Sequence, residues 1–125
     1  MVKERKETEL LVFVKAKALA KYILEVCGKA AVKYRYSLLN PLITDTLDIL
    51  RLLFEANEIS LKDPHRLELI RQAKAKIKCV DYISSLAVSI ECFNKKQGEV
   101  ITRLIGDCSK YLLGYYNSAS KALTI

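Results

Sequence analysis

The sequence predicts an all-α fold, an antiparallel up-down-up-down four-helix bundle, and three observations lead there. Apolar residues recur at spacings of three and four through four segments, and no stretch alternates as a half-buried strand would. Helix breakers are scarce, with 4 Gly and 2 Pro in 125 residues. Both prolines stand where a helix is expected to begin, and the links between segments are short. A chain of this length fits one domain, residues 1–125, with no room for a second core.

The first helix is expected over residues 8–31. Val12, Ala16, Leu19, Ile23, Val26 and Ala30 keep helical spacing, and Leu10, Phe13, Ala20, Leu24 and Cys27 widen that face. Lys15, Lys17, Lys21 and Glu25 fall largely on the remainder, and Gly28 weakens the last turn. A basic and aromatic link, Lys33-Tyr34-Arg35-Tyr36-Ser37, leads to a second helix that starts near Leu38 or Pro41 and ends near Glu58. Its core stripe reads as Leu39, Ile43, Leu47, Leu50, Leu53 and Phe54. Asp45 and Asp48, in its N-terminal half, complement the helix dipole.

Asp63-Pro64 is a helix-start signal, and the third helix is expected over residues 64–93. Its stripe is Leu67, Ile70, Ala73, Ile77, Val80, Ile83, Ala87 and Ile90. A helix of that length reaches about 45 Å. It should exceed its neighbours, so one end is expected to overhang or touch another subunit. Asn94-Lys95-Lys96-Gln97 has the form of a capping box. The fourth helix then carries Val100, Ile101, Leu104, Ile105, Cys108, Tyr111, Leu112 and Tyr115. Gly98, Gly106 and Gly114 mark one smooth side of it. They are either weak helix formers tolerated by packing or points of close backbone approach.

Composition narrows the function. Lys and Arg number 21 against 14 Asp and Glu, a formal charge of +7. Such a field attracts polyanions, although it also serves solubility alone. No run of about 18 apolar residues occurs, so no membrane crossing is expected. Residues 1–7 are charged and lack an apolar signal-peptide core. Cys27, Cys79, Cys92 and Cys108 lie in apolar-periodic segments without CxxC spacing. They read as small buried hydrophobes of a reducing compartment, which makes the cytoplasm the expected location.

No catalytic constellation stands out. The single histidine, His65, follows Pro64 at a helix start and reads as a surface residue. There is no metal-ligand motif and no glycine-rich phosphate loop. Glu9, Glu25, Asp48, Glu55, Asp81 and Glu91 alternate with basic residues and read as solvated. Asp81, between Val80 and Tyr82, is the one that burial would turn into a salt-bridge or tyrosine partner. The chain is therefore read as a non-enzyme, with no catalytic residue, metal or cofactor.

Three features suggest binding. Arg71, Lys74 and Lys78 share one face of the third helix while Lys76 points aside, and no acid lies between Glu68 and Asp81. Arg66 extends that face by a turn. Lys15, Lys17 and Lys21 form a second stripe, continued by Lys29 and Lys33. Side by side on adjacent helices, the stripes would make a salt-sensitive phosphate track; separately, each is an ordinary solvated face. In Lys33-Tyr34-Arg35-Tyr36, cations and aromatics alternate, a pattern that grips phosphates and stacks bases or simply closes a bundle end. Lys17, Lys21, Lys33, Arg35, Arg71, Lys74 and Lys78 are thus the nucleic-acid candidates. Around Tyr111, Tyr115 and Tyr116, with Leu112 and Leu113, apolar residues cover nearly the whole circumference. That excess suggests a homo-oligomer interface.

Lys33-Tyr34-Arg35-Tyr36-Ser37-Leu38, followed by a leucine-rich helix ending Leu53-Phe54-Glu55-Ala56-Asn57, resembles the accessory variability determinant (Avd) proteins of diversity-generating retroelements. Those place an R-[FY]-x-L turn before an LELLxEA helix. Asn94-Lys95-Lys96-Gln97 is similar to the family's polar turn before the last helix, and Leu113-Gly114-Tyr115-Tyr116-Asn117-Ser118 to its GGW-plus-polar ending. Ala31-Val32-Lys33 stands where the family has Phe-Pro-Lys, Asn40-Pro41 where it often has Gly and polar residues, and Tyr115 where it has tryptophan. A group encoded in intervening sequences of large-subunit ribosomal RNA genes shares the pattern. The resemblance implies a basic cyclic pentamer whose partners are nucleic acid (RNA, DNA or hybrid) and a reverse transcriptase. It would support mutagenic copying of a template RNA into cDNA without polymerase activity of its own. The alternative is a scaffold oligomer of the ribosomal intervening-sequence type, with no specific nucleic-acid role.

Overall fold

Helical spacing in the sequence becomes four helices in a computed structural model that describes residues 2–124, with side chains over residues 11–124. Glu9 and Leu10 lie outside the described side chains. The helices are α1 (Val2–Lys29), α2 (Asn40–Asn57), α3 (Pro64–Ser89) and α4 (Lys95–Thr124), and the described residues contain no strand. The main contacts run α1–α2, α2–α3, α3–α4 and α4–α1, so α1 and α3 lie diagonally across the fold. Buried residues from all four helices form one cluster, including Val12, Leu19, Ile23, Leu42, Ile49, Leu53, Ile70, Val80, Ile101 and Tyr115. Among the described residues, no helix is long and apolar enough to cross a membrane.

The two local start signals operate as expected. Pro64 opens α3, and the Asp63 carboxylate accepts the His65 N–H at 2.9 Å. His65 itself is exposed. At α4 the capping box is complete: Gln97 N–H donates to Asn94 Oδ1 at 2.8 Å, and Asn94 N–H to Gln97 Oε1 at 2.9 Å.

Where α3 stops was not legible. It has 26 residues and ends at Ser89, whereas α1 has 28 and α4 has 30, so α3 is not the longest helix. Glu91 adopts a φ of 64°, in the left-handed region. Cys92 N–H then returns to Ala87 O at 2.8 Å and Glu91 N–H to Val88 O at 3.0 Å. This is a Schellman stop with glutamate in the position glycine usually takes. It turns Phe93 back into the core, where it is 1 % exposed.

Two expectations about α2 need correction. The 33–37 link is not a loop: a 3₁₀ turn (Val32–Tyr34) and a π turn (Arg35–Leu39) run directly into α2. The buried face is Leu42, Thr46, Ile49, Leu52, Leu53 and Ala56. Leu47 and Phe54, read as core, are 45 % and 57 % exposed. More than half of the helix circumference is apolar, so spacing alone does not choose between two stripes one residue apart. Thr46 is acceptable inside because its hydroxyl donates to Leu42 O at 2.8 Å.

Charge joins α2 to α3 at the surface. Lys76 reaches Asp45 at 3.0 Å and Asp48 at 3.3 Å, and Arg51 bridges Asp48 and Glu55 at 3.3 and 3.1 Å. Hydrogen bonding to Asp45 first, and to Asp48 next, raises the Lys76 pKa and keeps the ammonium charged. Asp48 and Glu55 are thus ion-paired rather than merely solvated. Asp81 is exposed and, among the described residues, has no ion pair.

Of the three glycines in α4, only Gly98 marks a close approach. A Cβ there would stand 2.6 Å from Val88 Cγ2, while Gly106 and Gly114 face open space. Valine is stiff at χ1 and cannot swing away freely. Gly98→Ala should therefore lower stability by about 1–3 kcal/mol despite the better helix propensity of alanine, and Val88→Ala in the same chain should recover most of the loss. Urea unfolding midpoints of the single and double variants check this. Conversely, Glu91→Gly should raise stability by about 1 kcal/mol by removing left-handed strain, measurable as a higher Tm.

Candidate nucleic-acid interface

The three- and four-residue spacing of Arg71, Lys74 and Lys78 places them on the side of α3 that faces α4. There they form one wall of a cleft of about 500 Å³. Ile70, Ile77, Leu112 and Leu113 supply its apolar lining, and Ser109, Tyr116 and Asn117 complete the α4 wall. The sequence reading found the cations but missed this lining. Leu113, part of the apolar excess around the end of the fourth helix, is 58 % exposed, but spacing did not show that it borders the Lys74 and Lys78 face.

The cations differ in their freedom. Arg71 Nη2 donates to Tyr116 Oη at 3.1 Å, its guanidinium lies 5.7 Å from that ring's centroid, and Nη1 meets Glu68 at 3.5 Å. The hydrogen bond to Tyr116, and secondarily Glu68, raises its pKa further, so Arg71 is charged but already engaged. Among the described residues, Lys74 and Lys78 are exposed and pair with no carboxylate. Arg66 does not extend this face. It is 2 % exposed, with its guanidinium 5.0 Å from the Tyr115 ring centroid.

The second basic stripe does not adjoin the first. Lys17 and Lys21 are exposed on α1, which lies diagonal to α3, so the continuous two-helix track is not formed. Lys15 is half-buried against Tyr111, 5.6 Å from its centroid, and Lys110 approaches the same ring at 5.8 Å. Lys33 and Arg35 are exposed in the turns before α2. The Lys33 ammonium sits 5.1 Å from the Tyr34 ring, and Arg35 lines a smaller cleft with Leu24, Cys27 and Ile43. Neither borders the α3–α4 cleft.

The expected tyrosine interface is also revised. Tyr115 is 1 % exposed and its hydroxyl donates to Asn57 Oδ1, so it belongs to the core of its own chain. Tyr111 and Tyr116 are half-buried and face cations. Besides Leu113 on α4, exposed apolar residues lie elsewhere: Tyr82 and Leu86 on α3, Ile90 just past its end, and Leu47 and Phe54 on α2. Tyr82, Leu86 and Ile90 follow one another at four-residue spacing, and Ile90, read with the core stripe, is 42 % exposed because the helix has already stopped at Ser89.

All four cysteines are free. Burial pushes the Cys27 thiol up to about 11 and Cys108 up to about 12, so both are protonated and inert at neutral pH. A raised thiol pKa contributes stability that is full below the unfolded value and lost as pH rises through the folded one. Both residues are buried as expected, but Cys79 is exposed and Cys92 half-buried.

A scan against protein-family models finds no match to this chain, and a search of curated proteins finds none.

Replacing Tyr115 by phenylalanine tests its reassignment to the core. The loss of the buried hydrogen bond should cost about 1–3 kcal/mol. The sedimentation coefficient should not change, whereas an interface residue would shift it.

Proposed function

We propose that this chain is a non-catalytic, cytoplasmic accessory protein of the Avd type. In this reading it is a basic homo-oligomer that holds nucleic acid and associates with a reverse transcriptase during mutagenic copying. The observation that carries the nucleic-acid part is the pair of unneutralised lysines, Lys74 and Lys78, on the rim of the α3–α4 cleft. The net charge of +7 brings a polyanion towards them. The link to reverse transcription rests on the motif resemblance.

An antiparallel up-down-up-down path belongs to the same proposal. For α3 and α4, two facing pairs support it: Arg71 meets Tyr116 and Val88 meets Gly98, so the two helices run in opposite sequence order. A ring, such as the pentamer the resemblance implies, needs two different surfaces that meet head to tail. The exposed residues of α2 (Leu47, Phe54) and of α3 and its cap (Tyr82, Leu86, Ile90) are two such apolar surfaces. They equally suit a scaffold oligomer of the ribosomal intervening-sequence type, which is the second reading.

The charge-reversal pair Lys74→Glu/Lys78→Glu separates the two. It should weaken binding to an RNA–DNA hybrid steeply and reduce the salt slope by about 2, one per lysine, with helicity unchanged. Fluorescence anisotropy across a salt series reads both quantities. Unchanged affinity in the variant removes this face from nucleic-acid binding, and no binding by the parent protein at physiological salt favours the scaffold.

A further inference from the structure

Phosphate contacts need only cations, yet Lys74 and Lys78 stand over an apolar floor. We infer that the α3–α4 cleft is a single-strand site: an unpaired nucleobase lies against Ile77, Leu113 and Tyr116 while Lys74 and Lys78 hold the flanking phosphates. The inference rests on the nucleic-acid reading and specifies its ligand.

Three features support it. The cleft, at about 500 Å³, is of the size that accepts small organic groups. Lys74 and Lys78 lie one helical turn apart, about 6 Å along the axis, which suits successive anionic groups on one strand. Ser109 and Asn117 on the opposite wall supply an exposed hydroxyl and amide that, among the described residues, make no side-chain hydrogen bond.

That last feature distinguishes a base from the apolar face of an acidic amphipathic helix. A helix laid across the cleft would cover Ser109 and Asn117 with hydrocarbon and strand their polar atoms, whereas a base edge carries donors and acceptors for them. A duplex keeps its bases stacked inside and reaches the lysines only through phosphates, leaving the floor uncovered. The aromatic surface is also prepared: Arg71 holds the Tyr116 ring from one side through its hydroxyl and guanidinium contacts. Stacking on such a ring tolerates any base.

The test compares a labelled oligothymidylate with a duplex of equal length at one ionic strength by fluorescence anisotropy. The single strand should bind about tenfold more tightly. Leu113→Asn removes apolar surface from an exposed helix position. It should weaken single-strand binding about tenfold, leave duplex binding unchanged and preserve the far-ultraviolet circular dichroism. Lys74→Glu/Lys78→Glu should weaken both ligands. In the unaltered protein, irradiation of a strand containing 5-iododeoxyuridine should crosslink to Tyr116, as mapped by mass spectrometry. Equal affinity for strand and duplex, with no effect of Leu113→Asn and no crosslink at Tyr116, overturns the single-strand site while leaving electrostatic binding through the lysines in place. Tighter binding of an acidic amphipathic peptide than of the strand overturns it in favour of a protein ligand. Failure of the protein to bind any nucleic acid removes both readings together.

Discussion

The orientation of α4 depends on Tyr115. Its ring is buried beneath the Arg66 guanidinium from the first turn of α3, and its hydroxyl reaches Asn57, the last residue of α2. One side chain thus ties three helices together near their ends. Each residue of an α-helix advances about 100° around the axis, so an inward Tyr115 also directs Cys108, Leu112 and Ala119 inward. The same rotation leaves Leu113 and Tyr116 beside α3. The composition of the cleft is therefore a consequence of packing at a different position. Arg66 contributes by placing its charge against an aromatic face, an arrangement that lowers the cost of burying a guanidinium.

A single helix sorts its lysines by side. Lys76 turns towards α2 and joins Asp45 and Asp48, while Lys74 and Lys78 turn towards α4, where no carboxylate among the described residues meets them. Two positions along the helix are enough to separate a lysine that fastens neighbours from one that remains available. Net charge alone conceals this difference. Arg51, Lys76 and Arg71 are engaged by acids, and Lys15 and Lys110 rest on the Tyr111 ring, so the field felt by an approaching polyanion is concentrated on fewer groups than the composition suggests.

The sequence was most informative where the physics is local. Asp63-Pro64 and the Asn94–Gln97 box depend on a few adjacent residues, and both form as expected. The α3 stripe was legible because Ile70, Ala73, Ile77 and Val80 form one clear series, and the outward group of Arg71, Lys74 and Lys78 followed from it. The end of α3 was hidden because glutamate, not glycine, takes the left-handed position. The burial of Tyr115 and Arg66 needs three helices to converge, and the separation of the α1 and α3 stripes depends on the order of helices around the core. Neither is a property of periodicity. The surplus of apolar residues around Leu113 was legible, but that it sits beside Lys74 and Lys78 depends on which helix packs there.

The π turn before α2 has an evolutionary consequence. Such a turn accommodates one residue more than an α-helical turn. Shortening the 35–39 segment by a single residue would roll α2 by about 100°. Ile43, Leu47, Leu50 and Phe54 would then take the places of Leu42, Thr46, Ile49 and Leu53, exchanging one set of largely oily side chains for another. The helix thus carries a second, largely apolar frame in its own sequence, and a one-codon deletion at this point would change the outer coat of the protein at the expense of the helix end, where Asn57 would replace buried Ala56 and leave Tyr115.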